Sequence, residues 1–366
     1  MLKNIRKQVD KSLAEFITKA KHHHRFNLVA PILYDSIRDF VLREGKRIRP
    51  VLFVLSYKGY SRKKPRVSPS IYYVSTCVEL LHNFMLIHDD IIDRSDLRRG
   101  KPTMHKMLTK AAATREPDKL GHDLSIVAGD IVYALAFDAF LSIQEDRKRK
   151  EDALKYFIQT AVLTAMGEFI DTLHGVQRLN KVTERDVFLN YALKTARYTF
   201  DCPLVVGAKL AGANRQDIRL LSQLGLAVGE AFQIQDDIIG VFDTQKNIGK
   251  SILSDIAESK KTILVCHADK TLTSHARKRF LKHFMRPKKT YRDLVALRRV
   301  FVDAGSLSYS VKQIRSRIER SNTIMRKLKM RDKHLKEIKK AFNMLFGSSL
   351  RIARQHGITF PEQPFL

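Results

Sequence analysis

Asp89 and Asp93 stand four residues apart in LLHNFMLIHDDIID. On a helix that spacing puts both carboxylates on one face, one turn apart. Their neighbours Leu86, Ile87, Ile91 and Ile92 are apolar. Two like charges in such surroundings repel each other and lose hydration. Divalent cations remove both penalties, and Mg²⁺ in particular favours carboxylate oxygen together with substrate phosphate. The plainer alternative is an exposed acidic helix end, salt-bridged by Arg98 and Arg99. A second acidic pair weighs against it: FQIQDDIIG places Asp236 and Asp237 inside another apolar helix, with Gln233 three residues before Asp236. Two such pairs look like opposing walls of a metal–phosphate site.

Basic residues supply the other half. Lys46 and Arg49 lie three apart in GKRIRP, where Pro50 suits the first position of a helix. Arg98 and Arg99 follow the first acidic motif, and planar guanidinium groups fork onto phosphate oxygens. Lys194, Lys250 and Lys260 are further candidates. Carboxylates for metal beside cations for two phosphate groups point to a substrate carrying diphosphate.

The elements that must hold these residues read as helices. Val74, Val78, Leu81, Met85 and Ile92 recur at helical spacing, and long apolar rows run through 126–143, 153–173, 187–211 and 218–241. Several are apolar around their whole circumference, as expected inside a large bundle. Polar connectors are expected at 61–69, 114–119, 145–150 and 243–259. No repeat or Gly/Ser linker splits the chain, so one all-α domain over 1–366 is the simplest architecture. The 366 residues carry 67 Lys and Arg against 38 Asp and Glu, a net charge of +29. That excess suits nucleic acid, an anionic membrane surface or anionic substrates. No basic stripe with interleaved aromatics or reader motif speaks for specific nucleic-acid binding. Cys77, Cys202 and Cys266 are sparse and lack metal-ligand spacing, which fits a reducing compartment. No secretory signal and no uninterrupted apolar run of about 18 residues is read. The expectation is a soluble, cytoplasmic protein.

The motifs also carry a resemblance. GKRIRP at 45–50, LLHNFMLIHDDIIDRSDLRRGKPTMH at 80–105, KTA at 194–196, FQIQDDIIGVFD at 232–243, IGKS at 248–251 and DIAESKKT at 255–262 resemble the trans-isoprenyl diphosphate synthases, the polyprenyl synthetase family. The resemblance implies an all-α isoprenoid synthase bundle with a central active-site cavity. It further implies condensation of isopentenyl diphosphate with an allylic diphosphate to an all-trans prenyl diphosphate. Three Mg²⁺ ions, or Mn²⁺ in their place, would be held by Asp89, Asp93 and Asp236, with Asp90 and Asp237 in support. Arg98, Lys194 and Lys250 would bind the allylic diphosphate, and Lys46, Arg49, His82 and Arg99 isopentenyl diphosphate. Thr195 and Gln233 would line the path where the allylic cation forms. The family is usually homodimeric, and the basic face would suit anionic membrane, where prenyl products partition.

Two departures stand out: Gly240 where a third aspartate is frequent, and Ser259 where glycine is common. A class I terpene cyclase would share the fold and first motif. Such an enzyme has no use for an isopentenyl diphosphate site, and its mixed Asn/Ser/Glu metal motif is absent around Asp236. Product length should depend on Leu81, Phe84 and Met85, which precede Asp89 by eight, five and four residues. Phe84 without an aromatic at 85 is similar to archaeal-type geranylgeranyl diphosphate synthases. Farnesyl or longer products are the neighbouring alternatives.

Overall fold

The computed structural model describes residues 1–62, 69–111, 113–243, 259–361 and 363–365. These residues are almost wholly helical, and among them the strands are Leu97–Arg98 and Lys101–Pro102. They fall into two compact units. The first comprises Met1–Ile158, Pro203–Asn214 and Met330–Glu337; the second comprises Gln159–Cys202, Arg215–Lys329 and Ile338–Leu366.

Helix boundaries differ from the expected connectors for identifiable reasons. Pro117 opens the Pro117–Leu141 helix at its first turn, so 117–119 are helical instead of connecting. The next helix, Arg147–Val176, absorbs the charged residues 147–150. Pro50 sits third in the Ile48–Tyr60 helix, after Arg47 as cap. Its missing N–H is one of the four that a helix start leaves unbonded, so the position costs no hydrogen bond. The expected loops at 61–69 and 243–259 lie mostly outside the described residues.

In the first unit the Thr76–Ile92 helix packs on Pro117–Leu141. Leu80, Leu81 and Ile87 are buried on one side, and Ala128, Val132, Ala136 and Phe140 on the other. Each of the buried Leu, Ile, Val and Phe side chains contributes about 1.5–3 kcal/mol. Ile92, expected among the apolar surroundings of Asp89, is instead 45% exposed at the helix end. The Pro117–Leu141 helix is also long and apolar enough to cross a membrane. Reading for uninterrupted runs missed this because Asp123, Asp130 and Asp138 punctuate it.

In the second unit the Arg215–Phe242 helix packs on an eleven-residue π-helical stretch, Tyr191–Asp201. Glycine sets their separation. A Cβ on Gly225 would lie 2.4 Å from the Asp201 backbone, and one on Gly229 would lie 2.4 Å from that of Ala196. Residues 225, 229, 233 and 237 form one ridge at four-residue spacing. The two bare positions therefore let the next two, Gln233 and Asp237, reach the π-helical stretch with their polar ends.

Candidate active site

The first unit carries Asp89 on the last turn of the Thr76–Ile92 helix and Asp93 at its C-cap. The Asp93 N–H donates to the Asp89 carbonyl at 2.8 Å. Both residues are half-buried, whereas Asp90 is fully buried. The helix C-terminus concentrates carbonyl dipoles, so its field attracts cations. Two partly accessible carboxylates at that end, offering hard oxygen donors, fit a divalent ion such as Mg²⁺. Among the described residues, however, no group of three His, Cys, Asp or Glu side chains is gathered tightly enough to hold a metal unaided.

The chain then turns back through a hairpin that periodicity could not announce. Leu97 pairs with Pro102 and Arg98 with Lys101. The two connecting residues, Arg99 and Gly100, have φ of 56° and 73°, the type I′ pattern that suits the twist of a two-residue hairpin. This turn folds Arg98 onto the acidic helix end. Its guanidinium donates to Asp89 at 3.2 Å and also to Asp90. The salt bridge of the plainer reading is therefore present, made by Arg98. Arg99 goes elsewhere, donating to the carbonyl of Glu44 at 3.0 Å and lying against Gly45.

That contact brings the RRGKPT segment to the GKRIRP segment. Arg47, not singled out by sequence, fixes the GKRIRP segment in place. It is buried, paired with Glu79 at 2.6 Å and Asp10 at 2.9 Å, and donates to the Arg43 carbonyl at 2.7 Å. Arg49 on the following turn is half-buried, and Lys46 is exposed. His82 lies buried among these groups. Burial first, then Arg49, Arg99, Arg98 and Arg47, push its imidazole well below the ordinary histidine range, so it is neutral. A neutral imidazole amid arginines can offer a hydrogen bond without adding repulsion, in surroundings suited to a polyanion.

The product-length candidates occupy the same helix. Leu81 is buried, while Phe84 and Met85 are half-buried. The Phe84 ring meets Tyr133 and His88, each at 4.7 Å between centroids. Tyr133, from the neighbouring helix, escaped the sequence reading because nothing local links it to Asp89.

In the second unit Lys194 and Thr195 belong to the π-helical stretch, a conformation often found at functional sites. Gly167 allows the Arg147–Val176 helix to reach it, since a Cβ there would sit 2.5 Å from the Lys194 nitrogen. One residue and one turn further on, Glu168 and Asp171 pair with the Lys194 ammonium at 2.9 and 2.7 Å. Thr195 Oγ1 donates to Gln233 Oε1 at 2.6 Å, and Gln233 Nε2 donates to Asp237 Oδ1 at 3.1 Å. The other Asp237 oxygen accepts from the Tyr191 hydroxyl, which in turn accepts from the Ile263 N–H at 2.9 Å. Burial and the Asp237 charge hold the Tyr191 phenol well above its usual range, keeping it a donor. Asp237 is thus engaged at both oxygens by protein donors. Asp236, half-buried beside it, follows Gln233 by three residues, one turn along the same face.

Lys250 lies outside the described residues. Lys260 is half-buried, with its carbonyl accepting from the Thr262 N–H at 3.0 Å. Ser259, where glycine is common, has φ of 53°, a left-handed conformation that costs a side-chain-bearing residue roughly 1 kcal/mol. Its hydroxyl offsets this by accepting from Lys289 Nζ at 2.6 Å and donating to the Phe284 carbonyl at 3.3 Å.

Comparison with known proteins adds one family match, two relatives and two solved structures. The family model described as polyprenyl synthetase matches residues 30–299. The chain is 33% identical over 280 residues to a short chain isoprenyl diphosphate synthase of Methanocaldococcus jannaschii, covering 76% of each chain. It is 31% identical over 301 residues to a geranylfarnesyl diphosphate synthase of Aeropyrum pernix, covering 80% of this chain and 87% of that one. Among solved structures, a geranylgeranyl pyrophosphate synthase from Corynebacterium glutamicum, complexed with isoprenyl diphosphate and magnesium, has the same fold. Its TM-score is 0.85 at 24% identity, covering 96% of this chain and 99% of that one. The geranylgeranyl pyrophosphate synthetase from Pyrococcus horikoshii superposes with a TM-score of 0.77 at 27% identity, covering 94% and 96%.

Proposed function

The chain belongs to the polyprenyl synthetase family, and from that premise we propose that it condenses isopentenyl diphosphate with an allylic diphosphate, giving all-trans geranylgeranyl diphosphate. The observation that carries the reading is the end of the Thr76–Ile92 helix. There, accessible Asp89 and Asp93 adjoin a set of arginines gathered around neutral His82.

Asp89, Asp93 and Asp236 are the proposed Mg²⁺ ligands, with Asp90 and Asp237 supporting them. Bound Mg²⁺ would neutralise the diphosphate leaving group and so ease its departure. Arg98, Lys194 and Lys250 add positive charge to the same allylic diphosphate. Its C1–O bond breaks, and diphosphate leaves with the electron pair. Lys46, Arg49, His82 and Arg99 hold isopentenyl diphosphate, whose terminal alkene carbon bonds to C1. A proton is then lost to the departing diphosphate, restoring a double bond. Thr195 and Gln233, joined by a mutual hydrogen bond, are the polar groups proposed to orient this proton transfer. Apolar walls exclude water that would otherwise trap the cation.

The family model runs from residue 30 to residue 299, through parts of both units. That supports reading 1–366 as one functional domain. We propose a homodimer in the cytoplasm. Val162, Met166, Phe169, Leu173 and Val176 form an exposed apolar stripe along one helix, with Phe169 71% and Val176 84% exposed. Such a stripe suits burial against a second copy.

The test is incubation with farnesyl diphosphate, isopentenyl diphosphate and Mg²⁺, followed by chromatography of the dephosphorylated products. A C20 alcohol is expected. Failure to extend any allylic primer would refute the reading. The named activity of the Aeropyrum pernix relative favours a C25 product as the second reading.

A further inference from the structure

Residues 274–302 hold ten Lys and Arg against one carboxylate, Asp293. That carboxylate is buried. It closes the capping box of the Tyr291–Asp303 helix with Thr290, and pairs with His283 at 2.8 Å and Arg286 at 3.0 Å. Arg277 is engaged by Asp269, and Arg298 by the carbonyls of Val241 and Asp243. Lys289 is buried. The remaining cations, Lys278, Arg279, Lys282, Lys288, Arg292 and Arg299, are all exposed.

Their arrangement follows from amphipathicity. In the Ser274–Phe284 helix Phe280 and Phe284 turn inward, and Phe280 meets Phe301 of the Tyr291–Asp303 helix at 6.0 Å between centroids. Positions 275, 278, 279 and 282 then share the opposite, outward face at three- and four-residue spacing. On the partner helix Leu294, Leu297 and Phe301 are buried, which turns 292, 295, 299 and 302 outward. Apolar groups stand among the cations: Met285 is 51%, Tyr291 60% and Val295 43% exposed.

We propose that this helix pair docks the protein on an anionic lipid bilayer. Cations spread over a face attract phosphate headgroups. An amphipathic phenol and short apolar side chains beside them suit the shallow headgroup boundary. A duplex nucleic acid would use the charge but give exposed Met285 and Val295 nothing to bury against. The proposal is independent of the reaction assigned above. It places an enzyme with a lipophilic product at the phase into which that product partitions.

Flotation with vesicles of phosphatidylcholine and phosphatidylglycerol tests it, against pure phosphatidylcholine. The full chain should float only with the anionic vesicles, and salt should release it. Each cation near such a surface is worth about fivefold in affinity. Reversing three charges, in Lys278→Glu/Arg279→Glu/Lys282→Glu, should therefore weaken binding on the order of 100-fold or more. The scattered triple Lys312→Glu/Lys327→Glu/Lys336→Glu has the same net charge and should bind within a few-fold of the parent. Neither should change turnover on short, water-soluble substrates. Met285→Ser/Tyr291→Ser should lose binding severalfold with its salt dependence unchanged, which gives a second reading if the charge-reversal variant fails to fold. Equal loss in both triples would reduce the effect to net charge and overturn the proposal. Absence of flotation would also overturn it, as would retention of duplex DNA by the same face without vesicle binding.

Discussion

Phe84→Ala is the substitution whose outcome separates a product-length determinant from a packing residue. Phe84 precedes Asp89 by five residues, about 7.5 Å along the helix axis at 1.5 Å per residue. The next residues inward, Leu81 and Leu80, are buried and lie about 4.5–6 Å further along. An isoprene unit extends about 5 Å, close to one helical turn of 5.4 Å. Removing the ring therefore opens room for about one more unit, and the main product should shift from C20 to C25. Stability should fall as well. Truncating a fully buried Phe costs about 3–5 kcal/mol, but Phe84 is half-buried. Its two ring contacts, with Tyr133 and His88, are worth roughly 0.5–1.5 kcal/mol each. A loss of about 2 kcal/mol is expected, read as a shift in urea midpoint. Chromatography of dephosphorylated products gives the length. Tyr133→Ala, which removes the ring supporting Phe84, should lengthen the product too. An unchanged distribution in a folded, active Phe84→Ala protein would refute the reasoning and leave the ring a packing residue.

Three further perturbations probe the two units separately. Lys194→Met removes the cation that Glu168 and Asp171 hold; KM for the allylic substrate should rise at least tenfold with that for isopentenyl diphosphate nearly unchanged, and an equal rise in both would misassign the lysine. Tyr191→Phe deletes the donor to Asp237 and the acceptor for Ile263 N–H; kcat should fall about tenfold, a loss near 1.4 kcal/mol, and half-saturation should require more Mg²⁺, whereas an unchanged Mg²⁺ requirement would make the tyrosine merely structural. His105 is buried, and burial with His122 and Lys106 nearby lowers its pKa to about 4. Because the folded value lies below the unfolded one, its contribution is fully present above about pH 6.5 and is lost as pH falls towards 4. Urea midpoints should show a slope of about 1.4 kcal/mol per pH unit in that window from this one group, and His105→Gln should remove it; an identical slope in the variant would contradict the assignment.

The helices were legible because apolar spacing repeats over many residues, and the acidic pairs because their spacing, four residues for Asp89 and Asp93 and one for Asp236 and Asp237, is a local fact. What stayed hidden depends on contacts distant in sequence or on backbone detail. Glu168 and Asp171 precede Lys194 by 26 and 23 residues, and only the close approach at Gly167 makes them its partners. Tyr191 is linked to Asp237 across 46 residues. The π-helical stretch at Tyr191–Asp201 has the composition of an ordinary helix, so no residue type announces it. By residue type alone Arg98 and Arg99 are equivalent, and only the family resemblance gives them different substrates. The physical reason they part is a two-residue turn that sends one to Asp89 and the other to the Glu44 carbonyl. Nothing in GKRIRP marks Arg47 out from Lys46 and Arg49, yet of the three it is the one buried against Glu79, which fixes that segment in place. The Ser259 substitution carried its own signal, since a position favouring glycine is one where positive φ is expected.

The claim that this chain joins two diphosphates, and does not merely ionise one, is tested most directly by stoichiometry. Released inorganic diphosphate and consumed isopentenyl diphosphate are measured in the same reaction, with an allylic primer and Mg²⁺. One diphosphate should appear for each isopentenyl diphosphate consumed, and both should stop when EDTA is added or either substrate is withheld. Diphosphate released at full rate from the allylic substrate alone would mean a cyclase or hydrolase, and turnover undiminished by EDTA would remove the metal site from the mechanism.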